Sequence, residues 1–157
     1  MVGKGHSRLW HAAATGLLLA ILSVASPNSR ADDPTLEELK ARVANANIVD
    51  RPPLCIHISE HQLDTADKLY LAGDGDKAQA ALVNVVAFSE LARDYAIQSH
   101  KHEKQAEIAI RKMANKLVNL KHTVSHEDQG QIQKAIDRLQ QIRDDLLAAM
   151  FSKGGKR

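Results

Sequence analysis

Six histidines lie beyond residue 31, in three close pairs: His57/His61, His100/His102 and His122/His126. On a helix, side chains four residues apart project the same way. Two imidazoles so placed commonly form half of a transition-metal site. His57-x-x-x-His61-x-x-Asp64 adds a carboxylate to the stripe. His57, His61, Asp64, His100 and His102 are therefore the candidate ligands, for Zn, Ni or Cu, and no other cofactor is implied. The same stripe is the polar face of its helix, opposite Leu63 and Ala66, so solvated surface histidines are the plain alternative. Ligand spacing alone recurs by chance. His122/His126 straddles an expected helix junction, which spoils its i,i+4 geometry. Cys55 is the single cysteine, which leaves no internal disulfide. Beside an apolar face it reads as a small buried hydrophobe.

Other chemistry is sparse. No serine sits in a nucleophile-elbow context, and Gly73-x-Gly75 belongs to a turn between helices rather than to a phosphate cradle. Asp74 and Asp76 lack the twelve-residue ligand series of a calcium loop. No catalytic residue is assigned, and the chain is read as a non-enzyme. From Lys101 to Lys121, Lys and Arg outnumber Glu by six to two. The acidic last helix is expected to answer that excess, with Glu107 facing Arg143 and Lys112 facing Asp137 or its neighbours.

The first residues have the parts of a secretory signal peptide. Lys4, His6 and Arg8 form a basic start, Ala12 to Ala25 is largely apolar, and small residues offer cleavage after Ala31 or Ala25. The apolar run is shorter than the ~20 residues that cross a bilayer as a helix. Residues 1–31 are thus expected to leave an exported, periplasmic or secreted chain, with membrane contact only through this segment if it stays uncleaved. Taking Lys4, Arg8 and Arg30 from 21 basic residues leaves 18 against 19 acidic ones. A near-neutral balance of that kind gives no argument for a nucleic-acid partner.

The rest of the chain carries helical periodicity nearly throughout. Residues 32–53 predict a short helix, capped by Asp33 with Pro34 at its first position, and a Pro52-Pro53 linker. Leu54 to Ala72 predicts the second helix, with Ile56, Leu63, Ala66 and Tyr70 on its apolar face. Gly73-Asp74-Gly75-Asp76 is a tight turn. Lys77 to Val124 contains neither Gly nor Pro, and its two apolar sections flank the polar octet Gln98–Gln105. Ser125-x-x-Asp128 resembles a capping box and opens a last helix through Ile132, Leu139 and Leu146. Residues 54–151 form the helical domain, and the tail 152–157, basic with two glycines, predicts disorder.

Two all-α architectures follow. A continuous helix over 77–124, ~70 Å long at 1.5 Å per residue, lets two antiparallel hairpins share one long central helix. A bend at the octet instead stacks the hairpins as a compact four-helix bundle. Helix propensity and the missing breaker favour continuity; burial favours the bend. Only the bend brings Cys55, His57, His100 and His102 to one end. The run Ala66-Asp67-Lys68-Leu69-Tyr70-Leu71-Ala72-Gly73-Asp74, followed by Lys77–Leu82, resembles the middle of one tetratricopeptide hairpin. No second copy follows at the ~34-residue period, and no family is assigned. The expected function is contact with an unknown protein partner or with a second copy as a homo-oligomer. The alternative is a periplasmic metal-binding protein using the paired histidines.

Overall fold

Thr35 opens the first helix, α1 (Leu36–Asn45). Its hydroxyl accepts from the Glu38 amide at 3.2 Å, and the Glu38 carboxylate accepts from the Thr35 amide at 2.9 Å. This reciprocal capping box satisfies two helix-end donors. It starts the helix beyond Asp33 and Pro34, the residues expected to do so. The computed structural model describes residues 34–154. The signal-peptide reading of residues 1–31 and the end of the basic tail, residues 155–157, lie outside that range.

At Ala46–Asp50 the chain turns, and the Asn47 side chain accepts from the amides of Val49 and Asp50 at 3.0 and 3.2 Å. The second helix, α2 (Arg51–Leu71), holds Pro52 and Pro53 inside its first turn. The expected extended linker and the start at Leu54 are thereby corrected. First-turn amides have no intrahelical acceptor, so prolines there lose no hydrogen bond. Arg51 fastens the corner: its Nε donates to the Ala46 carbonyl at 3.1 Å, and its guanidinium lies 5.1 Å from the centre of the Tyr95 ring.

Gly73, at φ 78°, makes the expected turn. Asp74 accepts from the Lys77 amide at 3.4 Å to cap α3 (Gly75–Ser99). Small residues line the α2–α3 contact, with Ala66, Ala78 and Ala92 fully buried beside Ser59 and Ser89. Ser89 donates to the Val85 carbonyl at 2.7 Å, and the Ser59 hydroxyl lies within 3.2 Å of both that carbonyl and the Ser89 oxygen across the helices.

The expected continuous helix over 77–124 does not form. α3 ends at His100, whose φ is 56°, and the next helix, α4 (Glu103–Lys121), opens at His102 with φ 63°. The His100 amide donates to the Ile97 carbonyl at 3.4 Å and the Lys101 amide to the Ala96 carbonyl at 3.3 Å. That pairing is a Schellman ending, with histidine where glycine is usual. The compact bundle, the other arrangement the sequence allowed, is the one adopted. A straight rod would leave the octet without burial. Folding back joins Leu63, Leu82 and Val85 of the first hairpin with Ile110, Leu117, Leu139 and Ile142 of the second in one core. Burying each such side chain is worth about 1.5–3 kcal/mol, which exceeds the helix propensity of a few polar residues.

Ser125 caps the last helix, α5 (His126–Gly154). Its hydroxyl accepts from the Asp128 amide at 3.3 Å and donates to Asp128 Oδ2 at 2.6 Å. α5 runs through Gly130 and on past Ser152, where the disordered tail was expected to begin. The pairs Glu90–Arg138 and Arg93–Asp145 show α5 parallel to α3. Asp64–Lys116 joins α2 to α4. α2 packs on α3, α3 on α5, α5 on α4 and α4 on α2. α1 lies on α2, where Leu39, Val43, Cys55, Ile58, Phe88 and Ala92 make a second, smaller core. Among the described residues there is no strand, and no helix is long and apolar enough to cross a membrane.

Candidate functional site

Burial sorts the start of α2. Cys55 and Ile58 turn fully inward, which aims His57 and Glu60 outward on the opposite side of the helix. Burial also pushes the Cys55 thiol up to about 11, against a smaller opposing effect of the Arg51 charge. The thiol is thus protonated at neutral pH and sits in the small core, so it is no ligand.

At the α3–α4 corner, His102 takes the first position of the α4 cap with its backbone. Its carbonyl accepts from the Ala106 amide at 2.9 Å, while its side chain makes no capping bond. An L-residue in the left-handed region costs on the order of 1 kcal/mol. The corner holds two, and both are histidines. Neither asparagine nor glycine, the residues that tolerate this conformation best, is used.

These two regions meet. Pro52, Pro53, Ile56, His57 and Glu60 of α2 form one wall of a cleft of about 300 Å³, and His102, Gln105 and Ala106 form the other. Of the five candidate ligands, the fold brings His57 and His102 together. His61 sits half-buried one turn further along α2, its Nδ1 enclosed without a hydrogen-bond partner. Asp64 is engaged by Lys116 Nζ at 2.5 Å. His100 is exposed at the end of α3 and does not line the cleft. His122 ends α4 and His126 begins α5, so that pair is split as expected. As they stand, no three His, Cys, Asp or Glu side chains among the described residues are gathered as a metal-ligand set. Glu60 was missed in the sequence; its signal is the i,i+3 spacing from His57, which keeps both on the exposed side of α2.

A second concavity lies between the parallel helices α3 and α5. Leu82, Val83, Val86, Ala87 and Ala135 form its apolar surface, rimmed by Gln79, Glu90, Gln131, Lys134 and Arg138, with a volume of about 340 Å³. Val83 is 61% exposed. One end is closed by Arg138 Nε on Glu90 and by Arg93 on Asp145 at 2.8 Å. Ala87 and Ala135, one turn before Glu90 and Arg138, put only methyl groups into the groove. Lys134 is the rim cation with no ion-pair partner among the described residues. The signal for this groove is an excess of apolar residues around α3. Leu82, Val83, Val85, Val86, Ala87 and Phe88 occupy more of the helix circumference than one core-facing stripe needs.

The charge register between α4 and α5 is half as expected. Arg143 Nε donates to Glu107 at 2.7 Å, and Arg111 adds a second cation at 3.7 Å. Lys112 forms no ion pair with Asp137 or its neighbours among the described residues; Asp137 instead accepts from Gln133 at 2.6 Å. No protein family, no curated protein and no solved structure matches this chain.

Proposed function

We propose that this is a non-enzymatic, exported helical protein that acts by docking an acidic amphipathic helix of another protein in the α3–α5 groove. The observation that carries the reading is the open apolar floor, on which Val83 is exposed, with Lys134 on its rim without an ion-pair partner among the described residues. Helix-in-groove recognition places apolar anchors at i, i+3/i+4 and i+7 into such a floor, and charge at the rim selects the partner. Glu90 is already neutralised by Arg138, so the groove presents one net positive charge from Lys134. A carboxylate on the incoming helix complements it. Export rests on the basic start and apolar run of residues 1–25.

Two synthetic helical peptides with the same leucine stripe test the reading, one flanked by Glu and the other by Lys. The Glu peptide is expected to bind in the micromolar range and the Lys peptide at least tenfold more weakly. Val83→Asp should abolish binding, and Lys134→Glu should reverse the preference between the peptides. Equal binding of both peptides, or none, overturns the reading. So does a dimer in light scattering that Val83→Asp converts to monomer, since a second copy is then the occupant.

A further inference from the structure

We propose that a second copy of this chain is a partner: two chains exchange their α4–α5 hairpins, with residues 98–105 straightened so that α3 runs on into α4 as one helix. The proposal is independent of docking in the α3–α5 groove. Exchange uses the inner faces of the hairpins and leaves Val83, which is exposed on the outside, untouched.

Three observations carry it. The first is a short, strained corner. Only His100, Lys101 and His102 separate α3 from α4, and the two histidines are held in the left-handed region at φ 56° and 63°. The amides of His100 and Lys101 reach their acceptors at 3.4 and 3.3 Å, longer than the usual length of about 2.9–3.0 Å. His102 gives α4 no side-chain cap. Short connections under strain between packed units invite exchange between copies.

The second observation is that the connector has the sequence of a helix. Lys77 to Val124 contains neither Gly nor Pro, and the Gln, Lys and Glu residues of the octet are good helix formers. No residue from Gln98 to Gln105 is apolar, so straightening the octet exposes no apolar side chain. It returns both histidines to ordinary helical backbone. It also offers the first-turn amides of α4 the carbonyls of the last turn of α3.

The third observation is where the bending force comes from. Within one chain the cost of the corner is offset by burying Leu63 and Val85 in one core with Ile110, Leu117 and Leu139. In the exchanged dimer the same core re-forms between chains, as do the pairs Glu90–Arg138, Arg93–Asp145 and Asp64–Lys116. Burial is then equal in the two forms. Relief of the corner favours the dimer, the entropy of joining two chains opposes it, and chain concentration decides between them.

Refolding the purified protein from urea at millimolar and at micromolar chain concentration, followed by size-exclusion chromatography with light scattering, tests the exchange. The concentrated sample is expected to give dimer and the dilute one monomer. The two should interconvert slowly in native buffer, since exchange must open the shared core. His100→Gly with His102→Gly should raise the dimer dissociation constant about tenfold or more. His100→Asn with His102→Asn should act in the same direction, and decides if circular dichroism shows the glycine pair unfolded. His100→Ala with His102→Ala should lower the constant, because alanine keeps the penalty at the corner and extends a helix best. Mixed refolding reads the interface. A chain with Arg138→Glu and a chain with Glu90→Arg each set like charges against each other, and exchange between the two unlike chains restores both opposite-charge pairs. Native mass spectrometry should find more heterodimer than random pairing gives. Val83→Asp should leave the dimer intact. Monomer at every concentration, a dimer indifferent to the corner variants, random pairing, or a dimer lost with Val83→Asp each overturns the proposal.

Discussion

His100 and His102, at φ 56° and 63°, are each placed where a Cβ is disfavoured. Glycine removes that penalty at the end of a helix, and asparagine tolerates the same region. His100→Gly is expected to raise the unfolding free energy by about 1 kcal/mol, read from the urea midpoint. His102→Asn should also stabilise, by the same measurement. Cys55 gives the pH-dependent case. Burial is the main cause that raises its pKa from 9.0 in the free thiol to about 11 in the fold. Between those values the unfolded chain has lost this proton and the folded chain keeps it. Stability therefore falls as pH rises from about 9 to about 11. Cys55→Ala should lack that part of the fall, so the stability difference between the two proteins changes between about pH 9 and 11, measured by denaturant melts across the range. In the folded protein at neutral pH the thiol should resist alkylation.

At the scale of elements, the helices themselves were legible because Leu63, Ile110, Leu139 and Ile142 recur at helical spacing and are buried. The turn at Gly73 and the start at Ser125 were legible as local chemistry, since one needs positive φ and the other offers an N-cap hydroxyl. The ends of α1, α2 and α3 were harder. Thr35-x-x-Glu38 is a complete capping box, but Asp33-Pro34 beside it offers a competing start. Pro52-Pro53 breaks a helix interior and opens a helix equally well, and only the frame of the preceding turn decides between them. The break at His100–His102 has no local cause that sequence periodicity can register. It comes from burial shared between residues 63–96 and 106–146, far apart in the chain. The histidine cleft inherits the same uncertainty, because His57 and His102 meet only through that break. α1 contacts the bundle through α2 and through the smaller core. Leu39→Ala should thus release α1 alone: its amides lose hydrogen-exchange protection while those of α4 and α5 keep theirs. The cost of removing a buried leucine is about 2–5 kcal/mol, more than a helix of ten residues retains by itself.

For the whole molecule, the decisive question is whether the two hairpins fold as one unit. Leu139 of α5 is fully buried in the core that also holds Leu82 and Val85 of α3 and Leu63 of α2. Leu139→Ala removes about 2–5 kcal/mol from a protein whose total stability is expected in the range of about 5–15 kcal/mol. In a rod of two hairpins sharing a straight central helix, that loss would stay in the hairpin containing residue 139. In the bundle, α3 rests along α5 through Glu90–Arg138 and Arg93–Asp145, and α2 rests on α4 through Asp64–Lys116. The loss must therefore be shared. Native-state hydrogen exchange on Leu139→Ala should show the slowest amides of α2 and α3 losing as much protection as those of α4 and α5, with one urea transition at a lowered midpoint. Protection retained in α2 and α3 would mean that the hairpins open separately and that the corner at His100–His102 acts as a hinge. The cleft between His57 and His102 would then form and dissolve with that hinge.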